Sequence, residues 1–335
     1  PNGAPPGARA NRCEALQRAG LLTANTQDGQ ALEALKVLRD NGYYEAQDTL
    51  LASHEWLNLW RALNVTYANA HGRFAVSDSI CDMGFAGTDA LGAPAALPAK
   101  TAAILFATSG GVPATAGVEL IDEFADNGPI KENLAFSPIS GLQDLNLDGA
   151  ACFRYLATGD ESLLPHGAGP EKRRQLRRVQ KGIAETLTTG DLHGTPSIIL
   201  TGRSDALVFP NYHSRPYYGL NQLVEGKRSR LSYIEVVNAQ HFEALISTFW
   251  VDPVSGDVQF VPLHYYLFQA LDWMKGYLEG RHAKLPPSQV LRPVPRGSKP
   301  YKKSDAGRKL LPNIQRNPRA KDRITFGDGV LNIPN

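Results

Sequence analysis

Apolar positions along this chain follow two different rhythms. Over residues 28–42 they recur at helical spacing: Leu32, Leu35 and Leu38 follow Asp28, a candidate N-cap, and Gly42 stands where such a helix would stop. Residues 49–70 carry Leu50, Leu51, Trp56, Leu57, Trp60, Leu63 and Val65 on broadly one face, with Gly72 as terminator. The two segments predict a helical hairpin with an aromatic stripe. Core packing accounts for that stripe; the sharper alternative is a wall of an apolar cleft. From 75 to 170 the rhythm fades. Residues 102–107 (AAILFA) fit either a short strand or a buried helical turn, and 121–125 read as helix. Asp144, Asn146 and Asp148 alternate before Gly149. The twelfth place counted from Asp144 is Tyr155 rather than the glutamate of a calcium loop, so this is read as a polar turn. Residues 171–185 form a basic amphipathic helix.

After Gly194 the pattern becomes that of strands and crossover helices. Residues 196–200 are a short apolar run of the kind buried in a parallel sheet, and 231–237 (LSYIEVV) are a second. Between them lie a loop, 201–208, and a helix over 211–224 containing Pro216. Residues 262–278 predict a further amphipathic helix. Strand, loop, helix, strand, loop, helix is the order of an α/β protein with parallel strands. From 285 onward prolines alternate with lysines and arginines, which no regular helix can cross. An extended surface arm is expected there, with 324–326 and 330–333 pairing as an edge hairpin. The reading thus divides the chain into a mainly helical region (1–190), an α/β segment (191–284) and an extended basic tail (285–335).

Composition narrows the function classes. The 335 residues are 42% hydrophobic and 20% charged, with 35 Lys and Arg against 33 Asp and Glu. That excludes a disordered chain, a coiled coil and a protein held on nucleic acid by bulk charge. No run of eighteen apolar residues occurs, so no membrane partner is expected. Cys13, Cys81 and Cys152 have no metal-ligand spacing. Neither a metal nor a cofactor is expected, and the three leave room for one disulfide.

Two loops carry chemistry. Asp205 follows the first strand in GRSDALV, and His241 follows the second in AQHF. Both sit at strand C-terminal ends, where open α/β sheets place their sites. An acid and then a histidine on successive strands is the back half of the α/β-hydrolase triad, whose chain order is Ser, Asp or Glu, His. The histidine takes the serine proton; the carboxylate fixes its tautomer. The nucleophile is another matter. No serine has glycine at both −2 and +2. Ser109, with Gly111 after it, is the in-chain candidate, though Pro113 follows where a helix should open. The expected location is instead upstream of Pro1, and the start without methionine leads to the same expectation.

Residues 201–221 (TGRSDALVFPNYHSRPYYGLN), 238–243 (NAQHFE) and 285–292 (LPPSQVLR) resemble the D-(−)-3-hydroxybutyrate oligomer hydrolase family, as more weakly do 73–78 (RFAVSD). The resemblance covers essentially the whole chain, but only the C-terminal half of the family's usual length. It implies a serine esterase that cuts short 3-hydroxybutyrate oligomers to monomer after polyhydroxybutyrate depolymerisation. It also implies a C-terminal part of an α/β-hydrolase-like fold with a large helical cap, and the N-terminal sheet and nucleophile elbow on another polypeptide half. Asp205 and His241 carry over as acid and base. Arg203 and Arg215, flanking the acid loop, are candidates to hold the substrate's terminal carboxylate. Exported family members imply a secreted or periplasmic location, although no signal peptide is visible here.

Overall fold

A computed structural model of the chain describes residues 5–56, 58–75, 77–107, 118–164, 167–243, 258–297 and 302–335. The described chain mixes helix and sheet and parts into two compact units, one of residues 1–38 and 54–187, the other of 39–53 and 188–335.

The first unit holds α1 (Ala8–Arg18), most of α2 (Gln27–Asp40), the end of α3 (Asp48–Trp56), α4 (Leu59–Gly72), α5 (Ala99–Ala107), α6 (Leu147–Thr158) and α7 (Pro170–Glu185). The single helix expected over 49–70 is two. Asn58 adopts φ 54°, a left-handed conformation that a helix cannot pass through, and donates its amide to the buried carboxylate of Glu132 at 3.1 Å. The run at 102–107 is helical. Residues 121–125, expected as helix, are instead the end of a strand and the bend after it: β3 (Glu119–Asp122) pairs antiparallel with β1 (Met83–Thr88), in a four-stranded sheet completed by β2 (Pro94–Ala95) and β4 (Ile130–Lys131), in the order β2-β1-β3-β4. A mainly helical cap is therefore too simple a description of this part of the chain. The acidic alternation at 144–148 is a helix start: Asn146 accepts from Gly149 N at 2.6 Å and Asp144 from Leu147 N at 2.9 Å.

Helix α7 shows why its sequence is both basic and amphipathic. Leu176, Val179 and Ile183 pack into a core with Tyr155, Leu156 and Ile80. Gly182 meets the carbonyl of His71, where a Cβ would lie 1.9 Å from the oxygen, so α4 and α7 touch backbone to backbone. The cations outside that seam are engaged locally. Arg178 lies 3.8 Å over the Phe74 ring, Lys172 pairs with Asp82, and Arg174 with Glu171.

Cys81 and Cys152 form a disulfide inside the same core, with Cα atoms 5.7 Å apart and a sequence separation of 71; Cys13 is free. Closing a loop of that length removes entropy from the unfolded chain. Reduction, or Cys152→Ser, is expected to cost the first unit about 4 kcal/mol. Urea unfolding with and without reductant measures this, and an unmoved midpoint would contradict it.

The second unit is built on three parallel strands, β5 (Ser197–Gly202), β6 (Leu231–Val236) and β7 (Gln289–Leu291), in the order β5-β6-β7. The crossover helices are α8 (Ser214–Glu225) and α9 (His264–Leu278). Alternation along β6 sorts its two faces. Ile234 and Val236 join Tyr266 and Ala270 of α9, while Leu231 and Tyr233 join Tyr218 of α8. Every residue of β6 is buried, as the central strand of a covered sheet requires.

The expected basic tail is part of this sheet unit. Its first segment supplies β7. The chain then returns along the outer edge of β7, where the amide side chain of Gln289 exchanges two hydrogen bonds with the backbone of Gln315 (2.8 and 2.9 Å) and Ile324 N donates to Ser288 O. Leu311 and Ile314 are buried on the α9 face and Ile324 on the α8 face, so the arm straddles that edge. Prolines and cations are residues that proteins use to blunt sheet edges. The arm ends in the expected hairpin, β8 (Thr325–Gly327) and β9 (Val330–Asn332). Its two-residue turn is Asp328-Gly329, both at positive φ.

Candidate active site

The loops after β5 and β6 are clasped together by backbone. Arg203 N donates to Val236 O at 2.8 Å, and Ser204 N to Ala239 O at 3.0 Å. This approach is why residue 202 is glycine: a Cβ there would stand 2.4 Å from the Ala239 oxygen. Gly202→Ala is expected to cost about 1–3 kcal/mol by overpacking and to part the two loops. Loss of the Asp205–His241 interaction in the imidazole NMR shifts would report it, and unchanged shifts would refute it.

What the clasp holds is the acid and the histidine. Asp205 is buried; its Oδ1 accepts from the backbone N–H groups of Leu207 (2.9 Å) and Val208 (2.8 Å), which set the carboxylate's orientation. Its Oδ2 lies 3.2 Å from His241 Nδ1. With Nδ1–H given to Asp205, His241 Nε2 carries the lone pair of a base. The His241 side chain remains 42% exposed against 10% for Asp205, so the carboxylate is enclosed and the imidazole reachable. The bond from Asp205 raises the imidazole pKa above its ordinary value, against the opposing pull of burial. The neighbouring residues hold the ring in place. Phe242 stands edge-on to it at 5.0 Å, buried Gln240 exchanges bonds with the Phe242 backbone, and Glu243 accepts from His264 N at the start of α9.

The two arginines flanking the acid loop are both paired with a carboxylate of the chain itself. Glu235, fully buried on the α8 face of β6, takes both. Arg203 Nε donates to its Oε1, while Arg215 donates to Oε1 at 2.7 Å and Oε2 at 2.9 Å. Tyr233 OH adds a bond to Oε2 at 2.7 Å. Burial alone would raise the Glu235 pKa, but the two guanidiniums outweigh it and hold the carboxyl below its usual range. Arg203 also reaches Pro334 O, and Arg215 reaches Tyr44 and Asn211. Their charge is spent in building the floor of the acid loop.

Residues 39–53 support that loop as well. Gln47 donates to Arg203 O at 3.3 Å, Tyr44 OH to Asn211 at 3.0 Å, and Tyr43 packs on Phe209. These supports escape sequence reading, with one exception. An acid in the middle of LSYIEVV, inside a buried strand, demands a cationic partner. Ser109, the in-chain nucleophile candidate, lies outside the described residues. Among the described residues, no group of three or more His, Cys, Asp or Glu is placed to hold a metal ion. No helix among them is long and apolar enough to cross a membrane.

Residues 3–335 match the 3HB-oligomer hydrolase family. The chain belongs to it. Among curated members, the D-(−)-3-hydroxybutyrate oligomer hydrolase of Azoarcus sp. (strain BH72) is 41% identical over 325 residues, or 97% of this chain and 44% of the relative. That of Paracidovorax citrulli is 42% identical over 325 residues with the same coverage. One from Ralstonia pickettii is 39% identical over 338 residues, covering 99% of this chain and 43% of the relative. The chain thus spans less than half the length of these relatives. No solved structure matches it.

Proposed function

We propose that this chain carries the acid and the general base of a serine-type ester hydrolase acting on 3-hydroxybutyrate oligomers. The nucleophile then resides in the part of the family's length outside this chain, and β5, β6 and β7 are the C-terminal strands of an α/β-hydrolase-like sheet. The observation that carries the reading is the Asp205–His241 pair: an oriented, buried carboxylate on Nδ1 of a solvent-reachable imidazole, on adjacent parallel strands. The curated relatives' names support the substrate class.

In this reading His241 Nε2 takes the proton of the serine hydroxyl as its oxygen attacks the ester carbonyl. The imidazolium then returns that proton to the leaving hydroxyl of the shortened oligomer. Water, deprotonated by the same nitrogen, releases the acyl group as a 3-hydroxybutyrate unit and regenerates the serine. Asp205 stabilises the imidazolium at both stages. The Cys81–Cys152 disulfide supports maturation in an oxidising compartment, in keeping with export.

The test pairs this chain with the unmatched portion of a relative and measures hydrolysis of soluble 3-hydroxybutyrate trimer. Turnover is expected from the pair alone, with a fluorophosphonate label on a serine of the added portion. Turnover by this chain by itself, with the label on Ser109, would overturn the nucleophile's placement.

A further inference from the structure

The two edges of the parallel sheet are treated differently. The outer edge of β7 is covered by the C-terminal arm; no described strand lies on the outer edge of β5. Backbone phasing identifies the open groups. Ser197 N donates to Arg230 O and Arg203 N to Val236 O, so residues 197, 199, 201 and 203 face β6, and Ile198 and Leu200 turn their N–H and C=O groups outward. Among the described residues nothing bonds those outward amides. The side chains of β5 are correspondingly half-buried where those of β6 are fully buried, although Ser-Ile-Ile-Leu-Thr-Gly is a run of the kind enclosed on both faces. Helix α9, which packs on β5 through Tyr266, Ala270 and Trp273, adds to the imbalance. Leu267, Leu271 and Leu278, spaced i, i+4, i+11, lie on one stripe and are 40%, 56% and 72% exposed.

We propose that the outer edge of β5 and the apolar stripe of α9 are a docking seam for the polypeptide that completes the family's length, which adds a strand alongside β5 and an apolar surface against α9. The occupant follows from three observations. The relatives carry more than half their residues outside the matched region. A parallel sheet of three strands with one edge sealed can be extended only at the other. The acid and base stand at the ends of β5 and β6, so strands added at β5 end on the same side as Asp205. The inference extends the preceding reading and rests on it only for the identity of the occupant.

The test co-expresses this chain with the unmatched portion of a relative and follows amide hydrogen exchange of the purified complex. A one-to-one complex is expected in which Ile198 and Leu200 exchange about 100-fold more slowly than in the chain alone. Ile199 and Thr201, already bonded to β6, serve as internal controls that the sheet is folded. Leu271→Lys with Leu278→Lys, both exposed positions, is expected to weaken the complex about 10-fold or more. No complex, a complex that leaves Ile198 and Leu200 exchanging as before, or a homodimer joined at β5 would each overturn the seam. A protected seam in a complex without turnover would sink the esterase reading and leave the seam standing; turnover with unprotected Ile198 and Leu200 would do the reverse.

Discussion

On the proposed assignment, His241→Ala in the assembled enzyme is expected to lower kcat for the hydroxybutyrate trimer by about 10⁴-fold or more, with KM little changed, because the proposed serine would lose its proton acceptor. Asp205→Asn is expected to cost about 10³-fold, since an amide facing Nδ1 no longer favours the tautomer with a bare Nε2. The pH dependence separates a base from a merely structural histidine. The Asp205 bond raises the His241 pKa above its ordinary value, so activity should climb with pH through a midpoint displaced in the same direction. In Asp205→Asn that limb should move toward lower pH. Stability runs the opposite way. The bond stabilises the folded imidazolium, so its contribution is complete below the unfolded histidine pKa and fades as pH rises through the folded one. With the ring 42% exposed, that contribution is small. Retained turnover in His241→Ala, or an unmoved limb in Asp205→Asn, would refute the assignment.

Glu235→Leu is expected to cost about 3–5 kcal/mol of stability, because it leaves two guanidiniums without a counter-charge in a site where their side chains are 12% and 10% exposed. Replacing all three, as Glu235→Leu with Arg203→Met and Arg215→Met, should restore most of that loss, since an apolar cluster of similar volume needs no counter-charge. Urea denaturation of the single and triple variants measures both. A single variant within 1 kcal/mol of the parent, on the scale of an exposed ion pair, would show that the cluster is solvated rather than buried. The pair's dependence on pH has the opposite sign to that of His241. The carboxyl of Glu235 is held below its usual range, so its stabilisation is present above the unfolded pKa and is lost as pH falls through the folded one.

The parts of this architecture that are legible in the amino-acid order are those whose signal is local. Strands β5 and β6 are continuous apolar runs, α7 and α9 are amphipathic, and Asp205 and His241 follow strands at once. What escapes is set by partners far away in sequence. Strand β7 is three residues between prolines, and it is a strand because Val290 and Leu291 meet Glu235 and Val236. The end of β3 falls in a run, 121–125, that is read as helix because Ile121 shows no strand period until β1 lies beside it. The pairing of Arg203 and Arg215 with Glu235 joins residues 32 and 20 apart in sequence and has no local signal. The break at Asn58 depends on Glu132, 74 residues away, which stabilises a conformation the helical pattern would never suggest.

The C-terminal arm bears on how the sheet is made. The spatial order β5, β6, β7, arm is also the order of synthesis. Each strand leaving the ribosome therefore finds its lateral neighbour already in place, which removes much of the search that slows parallel sheets. The arm follows β7 and closes that edge. A nascent chain stopped near residue 297 would hold β7 as a bare template for intermolecular pairing, and the arm is in that sense a release step from aggregation.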